Sequence, residues 1–361
     1  MKKIAILILS IICFSRCVEE IPFKTQTGDD LLVVNGGFSN SEEAQEIILQ
    51  KTAAYGSPPR SVLGAIIIVK NSKGESAFYN EKGDGKYVLE PKILRGVVGE
   101  SYHLEIKLPN GQTYESEPEA MPGIVKPDST FWDFGRETVI KKDGFSNSFD
   151  VVNIFVSTPL TSDGKEAFLR WRVDDAFEFE TWRCCNLFKT ISRCYFSKQN
   201  NPQTIQVVSS KEANAARTNK TRIAYEPIEP AYRFITRYYF SLFQHSITQK
   251  AYDYWQKTNV VANQNGSIFD RVPAYIKGNM FNKNNKEEQV LGYFEVSALS
   301  IKRLYILPYE IKRGYPIIVD IRYYCDELSA YDQQSYLGGC CNCLAKPYPN
   351  GTYEKPEFWN K

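Results

Sequence analysis

Residues 102–115 read Tyr-His-Leu-Glu-Ile-Lys-Leu-Pro-Asn-Gly-Gln-Thr-Tyr-Glu, and this stretch indicates the fold class. Apolar and polar residues alternate from Tyr102 to Leu108, which is the two-residue period of a strand with one buried face. Asn110-Gly111 then provides the strongest short signal for a hairpin turn, and a second β-rich run begins at Thr113. The stretch therefore predicts an antiparallel hairpin that carries His103 on its solvent-facing side.

More short runs rich in β-branched and aromatic residues precede this hairpin. They cover residues 31–38, 65–70, 76–79 and 86–89, with turn-forming residues between them. One such turn, Gly83-Asp84-Gly85, contains residues that accept a positive φ. About seven short strands in about 90 residues are typical of a small sandwich. We therefore predict an N-terminal antiparallel β-sandwich of the immunoglobulin or prealbumin type over residues 31–117.

A proline-rich connector follows the predicted sandwich. Pro118, Pro122 and Pro127 stiffen residues 118–128, which we predict to be a linker between two domains. The chain is also longer than one hydrophobic core usually organises. We expect residues 129–361 to form a larger β-rich domain with a few helices, so the fold class is mainly β.

Local patterns predict individual elements of this second domain. Alternation over residues 167–173 predicts a half-buried strand with Arg170 and Arg172 on one side, and residues 232–243 show a similar pattern. The sequence Ser246-Ile247-Thr248-Gln249 matches a capping box, so we predict a helix that starts at Ser246.

The N-terminus carries the features of an export signal. Lys2 and Lys3 precede a mainly apolar run over residues 4–14, which is too short to span a bilayer that needs about 20 residues. We predict a signal peptide over residues 1–16, lipidation of Cys17, and a lipid-anchored tether over residues 17–30. The alternative is an ordinary secretory peptide in which Cys17 is a plain cysteine.

Two acidic residues, Glu19 and Glu20, follow the predicted lipid. They resemble the acidic export signal that sends Bacteroidota lipoproteins to the outer face of the outer membrane. The resemblance implies a lipid-anchored protein of the outer membrane that faces the cell exterior.

The charge balance argues against a nucleic-acid partner. The chain has 44 Lys plus Arg and 42 Asp plus Glu, and without the cations of the signal the acids exceed the bases by one. A protein that neutralises phosphates needs clustered excess Lys and Arg.

Seven cysteines remain if Cys13 leaves with the signal and Cys17 is lipidated. They are Cys184, Cys185, Cys194, Cys325, Cys340, Cys341 and Cys343. An exported protein meets an oxidising environment, so these cysteines are candidate disulfide partners, and their connectivity stays open. The alternative is a metal site formed by the last four, although it lacks the paired C-x2-C knuckles that structural zinc favours.

Residues 171–183 contain the residue types of a glycosidase site. Asp174, Asp175, Glu178 and Glu180 lie among four aromatic residues, and a carboxylate-dependent glycoside hydrolase needs two carboxylates across a cleft. The carboxylates at 178 and 180 alternate with Phe177 and Phe179, which is typical of an ordinary strand.

Several short motifs resemble a known family. They include Gly99-Glu100-Ser101-Tyr102, Ala251-Tyr252-Asp253-Tyr254-Trp255, Val290-Leu291-Gly292-Tyr293-Phe294 and the terminal Lys355-Pro356-Glu357-Phe358-Trp359. Together they resemble the Bacteroidota outer-membrane lipoproteins called domain of unknown function 4249. The resemblance implies an accessory lipoprotein of a TonB-dependent outer-membrane receptor.

No nucleotide-binding loop, His-x-x-x-His pair or Cys-His nucleophile set is visible in the sequence. We therefore expect a non-catalytic surface lipoprotein, without cofactor or metal, that partners a TonB-dependent receptor in nutrient capture. The alternatives are a stand-alone glycan- or peptide-binding lipoprotein and the glycoside hydrolase described above.

Overall fold

The structure is a computed structural model of the 361-residue chain. It describes residues 30–54, 57–140, 145–180, 193–200, 205–229, 231–234, 236–262, 276–314, 343–345 and 351–360. The predictions for Cys17, Glu19 and Glu20 lie outside the described residues. The same holds for Cys184, Cys185, Cys325, Cys340 and Cys341.

Strands make up most of the described residues, which confirms a mainly β chain. In the first half they are β1 Leu32–Ser39, β2 Gln45–Lys51, β3 Arg60–Ser61, β4 Ile66–Asn71, β5 Ser76–Gly83, β6 Lys86–Leu89, β7 Ser101–Lys107, β8 Thr113–Ser116, β9 Glu119–Ala120, β10 Ser129–Ile140 and β11 Ser146–Pro159. The later strands are β12 Thr161–Ser162, β13 Lys165–Glu166, β14 Phe168–Glu180, β15 Arg193–Asn200, β16 Gln206–Ser209, β17 Arg217–Pro227, β18 Tyr238–Ile247, β19 Met280–Asn282 and β20 Leu291–Ile306. The helices are α1 Ser210–Ala213, α2 Gln249–Ala262 and α3 Pro308–Gly314, and short 3-10 turns cover Ala231–Phe234, Cys343–Ala345 and Glu357–Asn360.

The predicted hairpin at residues 102–115 is formed by β7 and β8. Glu105 pairs with Glu115 and Lys107 pairs with Thr113. Upstream, Asp84 and Gly85 both have positive φ and connect β5 to β6 in a two-residue turn. Local sequence signals therefore determined these elements.

One long strand, β20, connects the two halves of the chain. Its first half pairs in parallel with β1, from Val33 opposite Leu291 to Ser39 opposite Ser297. Its second half pairs antiparallel with β18, up to Tyr238 opposite Ile306. The resulting sheet runs in the order β15-β14-β18-β20-β1-β2-β6-β5-β4-β7-β8-β19, and β10-β11-β17 form a separate three-stranded sheet.

This topology does not confirm a self-contained sandwich over residues 31–117. Met280, Phe294 and Val296 come from the second half of the chain and are buried in the same core as Ile67 and Leu104. They complete that core because β19 and β20 pair with strands of the first half. A second core lies among β11, β14, β17 and β18.

Two predicted boundaries near residue 240 were wrong. Residues 231–234 form a 3-10 turn, so the strand β18 starts only at Tyr238. Ser246 lies in β18, where its hydroxyl accepts a hydrogen bond from the Val125 N–H at 3.0 Å. Because Ser246 lies within the strand and α2 starts at Gln249, the cap of α2 is Thr248, whose Oγ1 accepts from the Ala251 N–H at 3.1 Å.

Among the described residues, no helix combines the length and apolar character needed to cross a membrane.

Candidate functional site

A cavity of about 770 Å³ lies over the place where the two halves of the chain share a sheet. Its floor comes from β1, β14, β18 and β20, and α2 contributes one wall. Strand register sets the floor, because directly opposite residues share one face of a sheet. Arg170 lies opposite His245 and Arg172 lies opposite Phe243.

A buried ion pair lies at the base of the cavity. Arg170 donates from Nε to Glu295 Oε2 and from Nη2 to Oε1, each at 2.8 Å. Glu295 is only 3% exposed. Burial alone would raise its pKa, but the Arg170 guanidinium and the hydrogen bonds from Arg170 and Trp255 together outweigh burial and lower the pKa to about 2. Glu295 is therefore a carboxylate at any physiological pH.

Helix α2 places Trp255 against the same carboxylate. The Trp255 indole donates from Nε1 to Glu295 Oε2 at 2.7 Å. The helix is held in place because Ala251 and Tyr252 are buried against Ile247 and Tyr293. Glu295 thus receives three hydrogen bonds from two elements far apart in sequence, which orients both elements around the cavity.

His245 contributes a neutral imidazole to the cavity wall. Its Nδ1 lies 2.9 Å from Ser297 Oγ and 3.6 Å from Glu295 Oε1. Burial, together with the nearby Arg170 cation, lowers its pKa to about 3. A general acid or base works best with a pKa near the operating pH, so this imidazole is suited to hydrogen bonding.

Two further side chains of the cavity lining each have one nitrogen atom without a hydrogen-bond partner among the described residues. Gln45 is 6% exposed, and its Oε1 accepts from the Ser39 N–H, whereas its Nε2 has no partner among the described residues. His245 Nε2 likewise has none within the described part of the chain. A buried polar atom without a partner is costly, and both nitrogens are almost fully enclosed, so a ligand in the cavity would reach them only if these side chains moved.

Among the described residues that line the cavity, Arg172 is a cation whose side chain is 36% exposed. Its guanidinium carbon lies 4.2 Å from the centre of the Phe243 ring, and its Nε lies 3.1 Å from Asp174 Oδ1. Its terminal nitrogens make no hydrogen bond to a described residue, in contrast to those of Arg170. The cavity therefore offers a stacked guanidinium, with an amide and an imidazole in its wall, and this polar lining is suited to a polar ligand.

The carboxylates of the hydrolase hypothesis do not face one another across a cleft. Glu180 pairs with Arg193 at 2.6 Å, and Glu178 lies 3.9 Å from the same guanidinium. Asp175 is on the opposite face of β14 and is 1% exposed, and Asn200 Nδ2 donates to it at 3.1 Å. Burial and the neighbouring Glu226 raise the pKa of Asp175, but the core encloses both groups.

Phe177 and Phe179 are buried in the core, as their alternation with the carboxylates predicted. Arg170 and Arg172 share a face, which the alternation over residues 167–173 also indicated. Glu295 was missed. The sequence signal that could have found it is a single charged residue within the buried run of β20.

One pair of the seven candidate cysteines is described. Cys194 of β15 and Cys343 of a 3-10 turn form a disulfide with a Cα–Cα distance of 5.8 Å. Both residues are buried. Cys343 is therefore not free to act as a thiolate ligand in the alternative metal site.

A family model described as a domain of unknown function, DUF4249, matches residues 18–303. The chain belongs to the DUF4249 family. This confirms the family that the sequence motifs resembled. The DUF4249 match contains every cavity residue named above, from Gln45 to Glu295 and Ser297. No curated protein matches the chain.

Proposed function

We propose that this DUF4249 protein is a non-catalytic, lipid-anchored binding protein on the outer face of the outer membrane, and that it captures a polar ligand for a TonB-dependent receptor. The observation that carries the binding proposal is the cavity between the two halves of the chain. Its described lining combines the buried ion pair of Arg170 with Glu295, the partly exposed guanidinium of Arg172, and aromatic side chains.

The size and position of the cavity support binding of a small molecule or of part of a larger one. Ligand pockets typically measure about 300–1,000 Å³ and occur preferentially where structural units meet. A volume of about 770 Å³ lies within this range. The ion pair of Arg170 with Glu295 keeps the floor rigid, because each partner would be costly to bury alone.

The proposed location at the membrane is supported by the sequence of the N-terminus. Lys2, Lys3 and the short apolar run precede Cys17, and Glu19 and Glu20 follow it. A lipid anchor would confine this protein and a receptor to one membrane. Confinement raises their effective concentration, to the millimolar range for short flexible tethers, so a modest interface can be occupied.

A second candidate is a stand-alone glycan- or peptide-binding lipoprotein. The observation in its favour is that aromatic side chains, among them Phe243 and Trp255, line the cavity and offer rings on which a sugar or a peptide side chain would stack. Both candidates place the ligand in the same cavity, and they differ in whether a receptor is engaged.

Ligand binding is tested by calorimetric titration of the full-length protein in detergent with a panel of oligosaccharides and peptides. We expect at least one class to bind, and Arg172→Ala to weaken that binding at least tenfold. The matched control is Arg136→Ala, an exposed arginine of β10 outside the cavity. Equal loss in both variants, or none in Arg172→Ala, would place the ligand elsewhere.

Partnership is tested by chemical crosslinking in intact cells, followed by mass spectrometry. We expect an outer-membrane receptor to be recovered with the wild type and to be depleted in a Cys17→Ala strain. Recovery of no receptor while the cavity still binds its ligand would favour the stand-alone candidate. Turnover of the bound glycan or peptide by the purified protein would overturn the non-catalytic assignment.

A further inference from the structure

Three metal-ligating side chains meet on the outer face of the N-terminal sheet, in the strands β7 and β8. Glu105 lies directly opposite Glu115 in the strand register. His103 is two residues before Glu105 on the same strand, so it projects from the same face. The three side chains are between 22% and 24% exposed, so solvent reaches them.

The two nitrogen–oxygen distances within this cluster are close to those between neighbouring metal ligands. His103 Nε2 lies 3.6 Å from Glu105 Oε1 and 3.6 Å from Glu115 Oε1, and the three atoms lie within 4.8 Å of one another. A separation of 3.6 Å is too long for a hydrogen bond. Tetrahedral zinc, with bonds of about 2.0–2.2 Å, separates its ligand atoms by about 3.4 Å. The nitrogen and the two oxygens converge without bonding to each other.

The second oxygen of each carboxylate forms an ion pair with a lysine. Lys70 donates to Glu105 Oε2 at 2.7 Å, and Lys283 Nζ lies 3.2 Å from Glu115 Oε2. These contacts leave both Oε1 atoms directed at His103. Such outer contacts orient the ligands of a metal, and the two lysines are 37% and 43% exposed, so solvent screens their charge.

We propose that His103, Glu105 and Glu115 form a zinc-binding site on the surface of the N-terminal sheet. Imidazole and carboxylate are both zinc ligands, and three of them leave a fourth position for water or for a ligand from another molecule. Two carboxylates directly opposite each other in neighbouring strands repel, and a shared cation relieves that repulsion. The site is separate from the cavity and does not depend on the proposed function.

The test is a zinc titration of the chelator-stripped full-length protein in detergent, with bound metal measured by mass spectrometry. We expect saturable zinc binding in the wild type, a raised thermal midpoint in the presence of zinc, and at least a tenfold loss of affinity in His103→Ala and in Glu115→Gln. The matched control is Glu137→Gln, which removes an ion-paired carboxylate of β10 remote from the cluster.

Cobalt absorption separates this site from one formed by cysteines. We expect cobalt to show no thiolate charge-transfer band and to lose its visible bands in His103→Ala. Absence of binding by millimolar zinc, unchanged affinity in His103→Ala, or a thiolate band that His103→Ala does not alter would overturn the proposal. Circular dichroism of each variant would show that it is folded, so that a loss of metal binding is not caused by unfolding.

Discussion

Arg170 and Glu295 form a two-pronged ion pair across 125 residues of sequence, with both N–O distances at 2.8 Å. Arg170 belongs to β14 and Glu295 to the half of β20 that pairs with β1. The pair therefore connects β14 to the part of β20 that completes the first core. It also forms the floor of the cavity.

Replacement of this carboxylate should be strongly destabilising. Glu295→Gln leaves the buried Arg170 guanidinium without its counter-charge, and breaking a buried pair in this way costs about 3–5 kcal/mol. We expect a loss near the lower value, because the Arg170 side chain keeps 20% exposure. Urea unfolding at neutral pH measures it.

The control for this change is Glu42→Gln. Glu42 is 82% exposed and lies 3.3 Å from Arg95, so the same substitution should cost less than about 1 kcal/mol. A double variant, Arg170→Met with Glu295→Leu, should recover most of the loss because no charge remains buried. Equal stability of Glu295→Gln and the wild type would contradict this account.

Acid should destabilise the fold through His245. Its pKa is lowered to about 3 in the folded protein, whereas an unfolded histidine titrates near ~6.5. Between these values the unfolded state binds a proton that the folded state does not, so stability falls as pH falls from about 6.5 towards 3. The slope for one proton approaches about 1.4 kcal/mol per pH unit.

The measurement is urea unfolding of the wild type and of His245→Gln between pH 6.5 and pH 4.5. The pKa of Glu295 is about 2 when folded, so the stability that this carboxylate contributes is lost as the pH falls through about 4.3, and this loss affects only the lower end of the window. The raised pKa of Asp175, about 7 in the folded protein, acts in the opposite direction in both proteins, so the informative quantity is the difference between the two slopes. We expect the wild type to lose up to about 1.4 kcal/mol more per pH unit than His245→Gln does as the pH falls. Identical slopes would show that His245 is protonated in the folded protein.

Close packing of β20 on β1 should require a glycine at position 292. Gly292 has a φ of +89°, and a Cβ there would overlap the carbonyl oxygen of Val34. Gly74 is a matched control, since its φ is +90° but no atom lies within 4 Å of a Cβ built on it. Each Gly→Ala change carries the backbone strain of about 1–2 kcal/mol, and only Gly292→Ala adds the clash.

We expect Gly292→Ala to lower the free energy of unfolding by at least about 2 kcal/mol more than Gly74→Ala does. Paired chemical denaturation curves measure the difference. Similar losses for both variants would mean that β1 and β20 separate enough to accept a methyl group.

The Cys194–Cys343 disulfide should stabilise the protein strongly, because the two residues are 149 positions apart. A closed loop of this size corresponds to about 5 kcal/mol in the chain-entropy account. We expect Cys194→Ser, Cys343→Ser and the double variant to lose similar amounts, since each removes the same bond. Thermal unfolding and non-reducing peptide mapping measure this.

We also predict at least two disulfides among the seven candidate cysteines, because the exported protein meets an oxidising environment, and thiol counting under denaturing conditions tests this. Five or more free thiols would refute it. Peptides that link Cys194 or Cys343 to any other cysteine would contradict the pairing in the structure.

Lipidation of Cys17 remains a prediction from the sequence alone. Metabolic labelling with palmitate should mark the wild type and leave Cys17→Ala unlabelled, because an apolar run too short to span precedes that residue. Fractionation should then place the wild type with membranes. Equal labelling of both proteins, or a fully soluble wild type, would contradict membrane anchoring through Cys17.

Residues near one another in the chain determined much of the β architecture. The alternation from Tyr102 to Leu108 predicted β7 and its buried face, and Gly83-Asp84-Gly85 predicted the turn before β6. These features depend on side-chain period and on positive φ, which a short window of sequence already contains.

Only the tertiary structure decided which distant strands share a sheet and which side chains meet in the cavity. Periodicity shows which face of a strand is buried, but it does not show which edge that strand pairs with. The parallel pairing of β1 with β20, the partner of Glu295 and the bond between Cys194 and Cys343 all follow from that choice. Because hydrophobic burial is not directional, many pairings bury the same residues, and close packing over the whole molecule selects one.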